Sequence, residues 1–345
     1  YRQNELGMHF MQYQARSFDK YMQTEERRGK RKMVKTKDAV NDMTVGTPAK
    51  LIIQFMIPVF LGNIFQQFYN IADSIVAGQF IGVKALAAIG STGSLMFFVT
   101  GWLNGLSSGF AILVSQWFGA KQYDKMRHYV AMSVYLAGGC AVLMTAGLLI
   151  ANEPILRMMN YSAEIMPEVK QYMGIIYAGL IVTAAYNSLA AFLRAIGDSK
   201  SPLYFLIISA VINVALDVVF IVVFGMGVEG CAYATVIAQA ISALLCFIYI
   251  VKKFPILHLT KSDRKISFQS FGRLLSLGIP MGLQFSITAI GTIIVQGAVN
   301  VYGETYMAGF SAAGKLQNMI MTVFVAFGAT VATYVGQNRG AGRMD

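Results

Sequence analysis

The chain has 345 residues, of which 56% are hydrophobic and only 13% charged, with 33 Gly and a mean hydropathy of +0.54. Soluble domains carry about twice that charged fraction, so composition excludes an ordinary soluble fold. The net charge of +11 does not mark a nucleic-acid binder, because the basic residues fall between apolar runs and not on one folded face.

Residues 1–47 are polar, basic and dotted with Met. They read as a cytosolic tail able to form a basic amphipathic helix at the lipid surface, and they contain no apolar core of a signal peptide. Part of the tail has a second reading. Glu25-Glu26-Arg27-Arg28-Gly29-Lys30-Arg31-Lys32 can be written in almost pure purine codons, and Met33 follows at once. A ribosome-binding site read as protein would look like this, so the expected native start is Met33 or Met43.

Stretches without a charged residue then follow at 51–72, 85–120, 129–152, 171–193, 230–251 and 274–303. Each reaches the ~20 residues needed to cross hydrocarbon. With 201–224 and 305–334 they give eight expected spans, and the alternating ten-residue segments of a membrane barrel are absent. The first span carries Pro58, a tolerated kink or hinge, and a stripe of Asn63, Gln66, Asn70 and Asp73 at steps of three and four. Such a stripe turns away from lipid. The second span is long and rich in Gly and Ser, which lets helices approach closely. After the fourth, Gly197 suits a helix end and Pro202 a helix start.

The fifth span, 201–224, holds the central feature, Asn213-Val-Ala-Leu-Asp217. Four residues apart, Asn213 and Asp217 share one helix face. An aspartate at mid-membrane depth costs roughly 2.5–3.5 kcal/mol on insertion scales, and normally faces a polar cavity where it handles a proton, an ion or a substrate. The alternative is a buried Asp that pins one helix to the next. Gly225-Met-Gly227-Val-Glu-Gly230 matches a nucleotide-binding string, but it follows a membrane span and not a strand, so we read it as a turn. The seventh span carries Pro280 and the stripe Gln284, Thr288, Thr292 and Gln296; the eighth carries Lys315. Cys140, Cys231 and Cys246 fall inside apolar runs and read as small core residues. His9, His128 and His258 form no metal-ligand cluster.

The loops after the second, fourth, sixth and eighth spans are basic, which places them and both chain ends in the cytosol. The first and seventh spans open alike, with Ile57-Pro58 and Ile279-Pro280. Gly82 pairs with Gly303, Ala87 with Ala308, and Gln116, Gly119 and Ala120 with Gln337, Gly340 and Ala341. The offset holds at 221 or 222 residues. Six spans separate the copies, an even number, so they share one orientation about an axis along the membrane normal. The expected architecture is all-α and polytopic. It has a first six-helix lobe at 48–252, a cytosolic linker at 253–273, and at 274–345 the first two helices of a second lobe whose remainder lies beyond the chain.

Several stretches resemble the multidrug and toxic compound extrusion (MATE) family: Met43-Thr-Val-Gly-Thr-Pro48, Asp73-Ser-Ile-Val-Ala-Gly78, Ala87-Ala-Ile-Gly90, Leu193-Arg-Ala-Ile-Gly-Asp198, Asn213 to Asp217, and Gly227-Val-Glu-Gly-Cys-Ala-Tyr-Ala-Thr235. The resemblance implies twelve spans in two lobes. It also implies export of cationic or amphipathic compounds against entry of H⁺ or Na⁺. It assigns cation binding to Asp73, Asn213, Asp217 and Thr235. Many members carry an acid on the seventh span; here Gln284 and Thr288 stand in that region. That departure favours coupling through the first lobe, as in the branch resembling DNA-damage-inducible protein F.

On this reading Gln66, Asn70, Met96, Phe97, Gln284, Thr288 and Lys315 line the cavity, Pro58 and Pro280 are hinges, and Na⁺ is the one metal that Asp73, Asn213 and Asp217 would hold. No organic cofactor is implied, and the partners are small organic cations, the coupling ion and lipid. A monomer in the cell membrane, multi-pass with a cytosolic N-terminus, is the expected state. A lipid-linked oligosaccharide flippase of the same superfamily and a membrane-embedded enzyme using Asp73 and Asp217 as a dyad remain alternatives. The start-site reading predicts that mass spectrometry of the endogenous protein finds an N-terminus at Met33 or Met43; a peptide from residues 1–32 would refute it.

Overall fold

The computed structural model describes residues 42–159, 161, 164–300 and 304–343. Among them every regular element is helical: α1 (Pro48–Phe80), α2 (Val83–Ser91), α3 (Gly93–Gly119), α4 (Tyr123–Met158), α5 (Met166–Ala178), α6 (Leu180–Ala195), α7 (Lys200–Val218), α8 (Val228–Lys253), α9 (Phe268–Asn300) and α10 (Glu304–Gly340). Seven helices are long and apolar enough to cross a membrane, or eight if the bent pair α5–α6 is one span. The protein is an all-α, polytopic membrane protein, as its sequence predicts.

The helix boundaries follow local chemistry. Thr47 is extended and Pro48 opens α1, the position where a missing N–H costs nothing. Between α6 and α7, Gly197 adopts φ +93°, a left-handed conformation that spares it a Cβ clash. Its neighbour Asp198 then caps the next helix, accepting from the Ser201 amide (3.0 Å) and hydroxyl (2.7 Å). The glycine-rich string 225–230 is the α7–α8 turn. Gly225 sits at φ +65°, while the Met226 amide reaches back to the Phe220 carbonyl at 2.9 Å, closing the helix end. Helix α1 runs unbroken through Pro58 and α9 through Pro280.

Two features depart from a plain reading of eight straight spans. The fourth span bends by 47° between Ala178 and Leu180. Gly179 lies at the bend, and a Cβ there would overlap the Val236 side chain of α8, so the bend lets the two helices touch. Beyond Asp217 the fifth span changes to a π-helical turn, Val219–Val223. The run Val218-Val219-Phe220-Ile221-Val222-Val223 is mostly β-branched, which weakens regular α-helix, and wider turns often accompany functional sites.

Helix α3 is the hub, packing against α4, α6, α9 and α10. Its glycines bring backbones together: a Cβ on Gly105 would lie 2.5 Å from the Met281 carbonyl oxygen, and one on Gly109 2.6 Å from the Gly278 Cα. Farther along, the repeated motifs meet each other. Gly119 abuts the Gln337 carbonyl and Gly340 abuts the Gln116 carbonyl, residues paired by the 221-residue offset. Likewise α10 packs on α1 as α3 packs on α9. Reciprocal contact of this kind is what a two-fold relation produces.

The buried Gln337 side chain fastens the same end. It accepts from the Met43 amide (2.9 Å) and donates to the Ala195 carbonyl (2.9 Å), while Asn338 donates to the Met43 carbonyl (3.1 Å). The segment between α8 and α9 is clasped there too. Asp263 accepts from the Thr260 amide (2.8 Å) and hydroxyl (2.6 Å) and from Arg127 (3.0 Å), and the His128 ring bridges the Asp263 carbonyl and the Ser270 hydroxyl. Burial acts to raise the Asp263 carboxyl, but the Thr260 and Arg127 bonds outweigh it and hold the group below the usual carboxylate range. Hydrogen bonds therefore cross-link the elements at the end carrying the basic loops.

The glycine contacts give a controlled prediction. Gly340→Ala, or Gly119→Ala, should lower thermal stability in detergent by about 1–3 kcal/mol, the cost of overpacking. Gly138→Ala, where a Cβ meets nothing within 4 Å, should be neutral or slightly stabilising. Equal behaviour of the two sets would contradict the close approach.

Candidate functional site

The site lies where α1, α7 and α8 meet. On α1, Ile53, Ile57, Leu61, Phe68, Ile71 and Ile75 are exposed and recur at helical spacing, so they form the face turned to lipid. Asp73 lies about half a turn from that stripe and is 4% exposed. On α7, Asn213 and Asp217 are both fully buried, one turn apart on the inner face. Thr235 of α8 is 2% exposed and donates from Oγ1 to Oδ2 of Asp73 at 3.1 Å. Hydroxyl-to-carbonyl bonds from Ser209 to Ala238 (2.6 Å) and from Ser242 to Phe205 (3.1 Å) lock α7 to α8. Gly62 of α1 packs beside Leu203 and Leu206 of α7.

These elements bring all four predicted cation-site residues together. The Asp73 carboxyl neighbours Asp217, Thr235 and Asn213. Oδ1 of Asp73, both side-chain atoms of Asn213 and both carboxyl oxygens of Asp217 are buried and without a hydrogen-bond partner. A buried unsatisfied polar atom costs about 1–3 kcal/mol, and more when charged. Two adjacent buried carboxyls cannot both be charged unless a positive charge joins them. The four side chains therefore form a buried acidic pocket with unpartnered oxygen atoms. Its ligands would be two carboxylates, an amide oxygen and a hydroxyl, the donor set of a hard cation. Among the described residues no group of three or more His, Cys, Asp or Glu is placed to hold a metal ion.

One neighbour was not singled out by sequence. Cys231 stands four residues before Thr235, on the same face of α8. It is fully buried and lies against Asp217. The i, i+4 spacing from Thr235 was the available signal.

The proposed cavity residues are dispersed. Gln66 is exposed, on the side of α1 opposite its lipid stripe. On α9, Leu283, Ile287, Ile290 and Ile294 form an exposed apolar stripe. Gln284 and Thr288, also exposed, lie one residue on, about 100° round the helix. Phe97 is exposed and meets Phe285 edge-on at 6.4 Å, whereas Met96 packs at the margin of the apolar core. Pro58 is buried within α1 and Pro280 exposed on α9. The side chains of Asn70, Gln296 and Lys315 lie outside the described residues.

The fold and the pocket define a polytopic helical membrane protein with a buried acidic site shared by three spans. Comparison with known proteins extends this. The MatE family profile matches residues 58–219. A probable multidrug resistance protein of Bacillus subtilis, YpnP, is 32% identical over 305 residues, covering 87% of this chain and 67% of that protein. A second from the same organism, YoeA, is 30% identical over 298 residues, covering 84% and 64%. An outward-facing structure of a multidrug resistance MATE family transporter of the MOP superfamily shares the fold, with a TM-score of 0.83 at 24% identity over 90% of this chain and 69% of that one. The chain belongs to the MATE family. It spans about two thirds of the length of the curated relatives it matches.

The pocket geometry predicts different effects on stability. In Na⁺-free buffer, Asp217→Asn should leave the melting temperature unchanged or raised, because the amide stands in for a neutral carboxyl and frees the buried pair from having to share a proton. Thr235→Val should lower stability by about 1–3 kcal/mol, because it strips Asp73 of its donor. A destabilised Asp217→Asn would contradict the juxtaposition.

Proposed function

We propose that this chain is the leading part of a secondary active multidrug exporter, moving cationic or amphipathic organic compounds out of the cell in exchange for entering H⁺ or Na⁺. The observation that carries this reading is the pair Asp73 and Asp217, buried side by side with unpartnered oxygens. Membership of the MATE family and the multidrug-resistance names of its relatives support it. Residues 48–252 form one lobe and residues from 274 onward begin the second. The reciprocal contacts of Gln116–Gly119 with Gln337–Gly340 support that division. The basic loops set the tied end in the cytosol, with the protein multi-pass and monomeric in the cell membrane.

In this arrangement the cytosolic side is the closed one. Cation entry neutralises Asp73 and Asp217 and removes the repulsion between α1 and α7. Helix α1 then rearranges about Pro58, where the ring has already cost the helix one backbone hydrogen bond, and α9 about Pro280. Movement of α1 against α7 alters the cavity that holds the organic cargo. Gln66, Gln284 and Thr288 are neutral, and the charge on α1 beside Gln66 is the Asp73 carboxyl. That favours cationic cargo over the pyrophosphate of a lipid-linked sugar.

The test is efflux by the full-length protein in proteoliposomes under an imposed H⁺ or Na⁺ gradient. Asp217→Asn should fold and reduce gradient-driven dye efflux at least ~100-fold, as expected when an essential charge-handling group is lost. Unchanged efflux in that variant would refute the assignment.

A further inference from the structure

The segment between α8 and α9 carries a charge pattern that the proposed transport does not use. Lys261-Ser262-Asp263-Arg264-Lys265 mixes both signs in sequence and separates them in space. Asp263 is 5% exposed and turned inward, where Arg127 pairs with it at 3.0 Å and also takes up Asp124. Lys261, Arg264 and Lys265 are exposed, and among the described residues none of the three forms an ion pair. The outer face of this turn is therefore cationic, with its one acid withdrawn.

Apolar side chains follow at once. Ile266 is 65% exposed and Phe268 85%, and left in water they would forfeit the gain from burying apolar surface. The segment that presents them is held in place. Phe254, Ile256 and Leu257 are buried at one end of it, the Thr260 and Arg127 bonds to Asp263 fix its middle, and Phe271 meets Phe268 edge-on at 6.3 Å at the other end. Such a surface needs little ordering when it binds.

We infer that this turn is a docking site for an anionic phospholipid. Lys261, Arg264 and Lys265 hold the phosphate-bearing headgroup, and Ile266 and Phe268 rest against its acyl chains. The depths agree. The membrane-crossing stretch of α9 begins at Phe268, which sets that ring at the edge of the hydrocarbon, and the cations precede it, at the level of the headgroups. A neutral lipid would cover the apolar pair and leave the cations without counter-charge. A soluble anion would do the reverse. An anionic lipid satisfies both, and the inference stands apart from any role of Asp73 and Asp217.

The experiment places the full-length protein in phosphatidylcholine liposomes, with Phe268→Trp as a fluorescent reporter and the unsubstituted protein as the background of its other tryptophans. Phosphatidylglycerol and phosphatidylcholine with brominated acyl chains, which quench on contact, are added at equal mole fraction. Half-quenching by the phosphatidylglycerol should need about tenfold less lipid, the order expected from a few cations at an anionic headgroup. Adding Lys261→Gln, Arg264→Gln and Lys265→Gln to the reporter should make the two lipids equal. Should that variant fail to fold, salt gives the same test on the reporter alone: at about 1 M, where screening acts within about 3 Å, the preference should vanish.

Equal quenching by the two lipids in the reporter protein at low salt would overturn the inference, because the cations would then select nothing. Absence of quenching by either would also overturn it and leave the face to water or to a protein partner. Loss of the preference on adding millimolar glycerol phosphate at constant ionic strength would overturn it as well, since the cations would then form a site for a soluble anion.

Discussion

Two carboxyls held together away from water are the constraint on which the rest of this molecule depends. Asp73 and Asp217 come from α1 and α7, elements far apart in sequence, and their burial would be prohibitively costly in a protein that only had to be stable. A hydrophobic pair in their place would pack the bundle better. On the proposed cation-coupled reading, α1, α7 and α8 are organised for a charge that arrives and leaves. The neighbouring features serve that end. Ser209 and Ser242 fix α7 to α8 through backbone carbonyls. Thr235 steers the Asp73 carboxyl.

A second constraint operates at the far end of the bundle. The proposed transport by alternating access needs a closure that is specific yet reversible. Here it is made from backbone contacts at glycines and from a few amide hydrogen bonds, not from a large apolar surface. Gly119 and Gly340 let α3 and α10 meet main chain to main chain. Gln337 ties them to Met43 ahead of α1 and to Ala195 at the end of α6. Contacts of this sort pack tightly when aligned and are lost together when helices shift. That suits a two-state element.

Much of this was legible in the sequence, for physical reasons. Charge-free runs of membrane length must be helices, because lipid leaves the backbone no other partner, and so the spans could be placed closely. Asn213 and Asp217 stood out because charge in hydrocarbon is expensive. Asp73 emerged from a polar stripe that the structure sets opposite α1's isoleucines. The repeat offset equates Gln116 with Gln337 and Gly119 with Gly340, but that these copies touch, and that Gln337 also binds Met43 and Ala195, appears only in the structure. The bend at Gly179 was hidden, since a glycine in an apolar run marks a bend only once Val236 is known to press against it. The π turn after Asp217 had a faint signal in its β-branched run. Cys231 reads as inert core in the sequence because a cysteine among apolar residues usually is; its neighbours come from other helices, and periodicity along one helix does not reveal them.

The central claim is that Asp73 and Asp217 share a single positive charge. Infrared difference spectroscopy of the purified full-length protein in Na⁺-free buffer near neutral pH tests it most directly. The account predicts a protonated-carboxyl band, insensitive to bulk ionic strength, that disappears when both aspartates are replaced by asparagine. A spectrum with no such band in the unmodified protein, or one that the double replacement leaves intact, would contradict it.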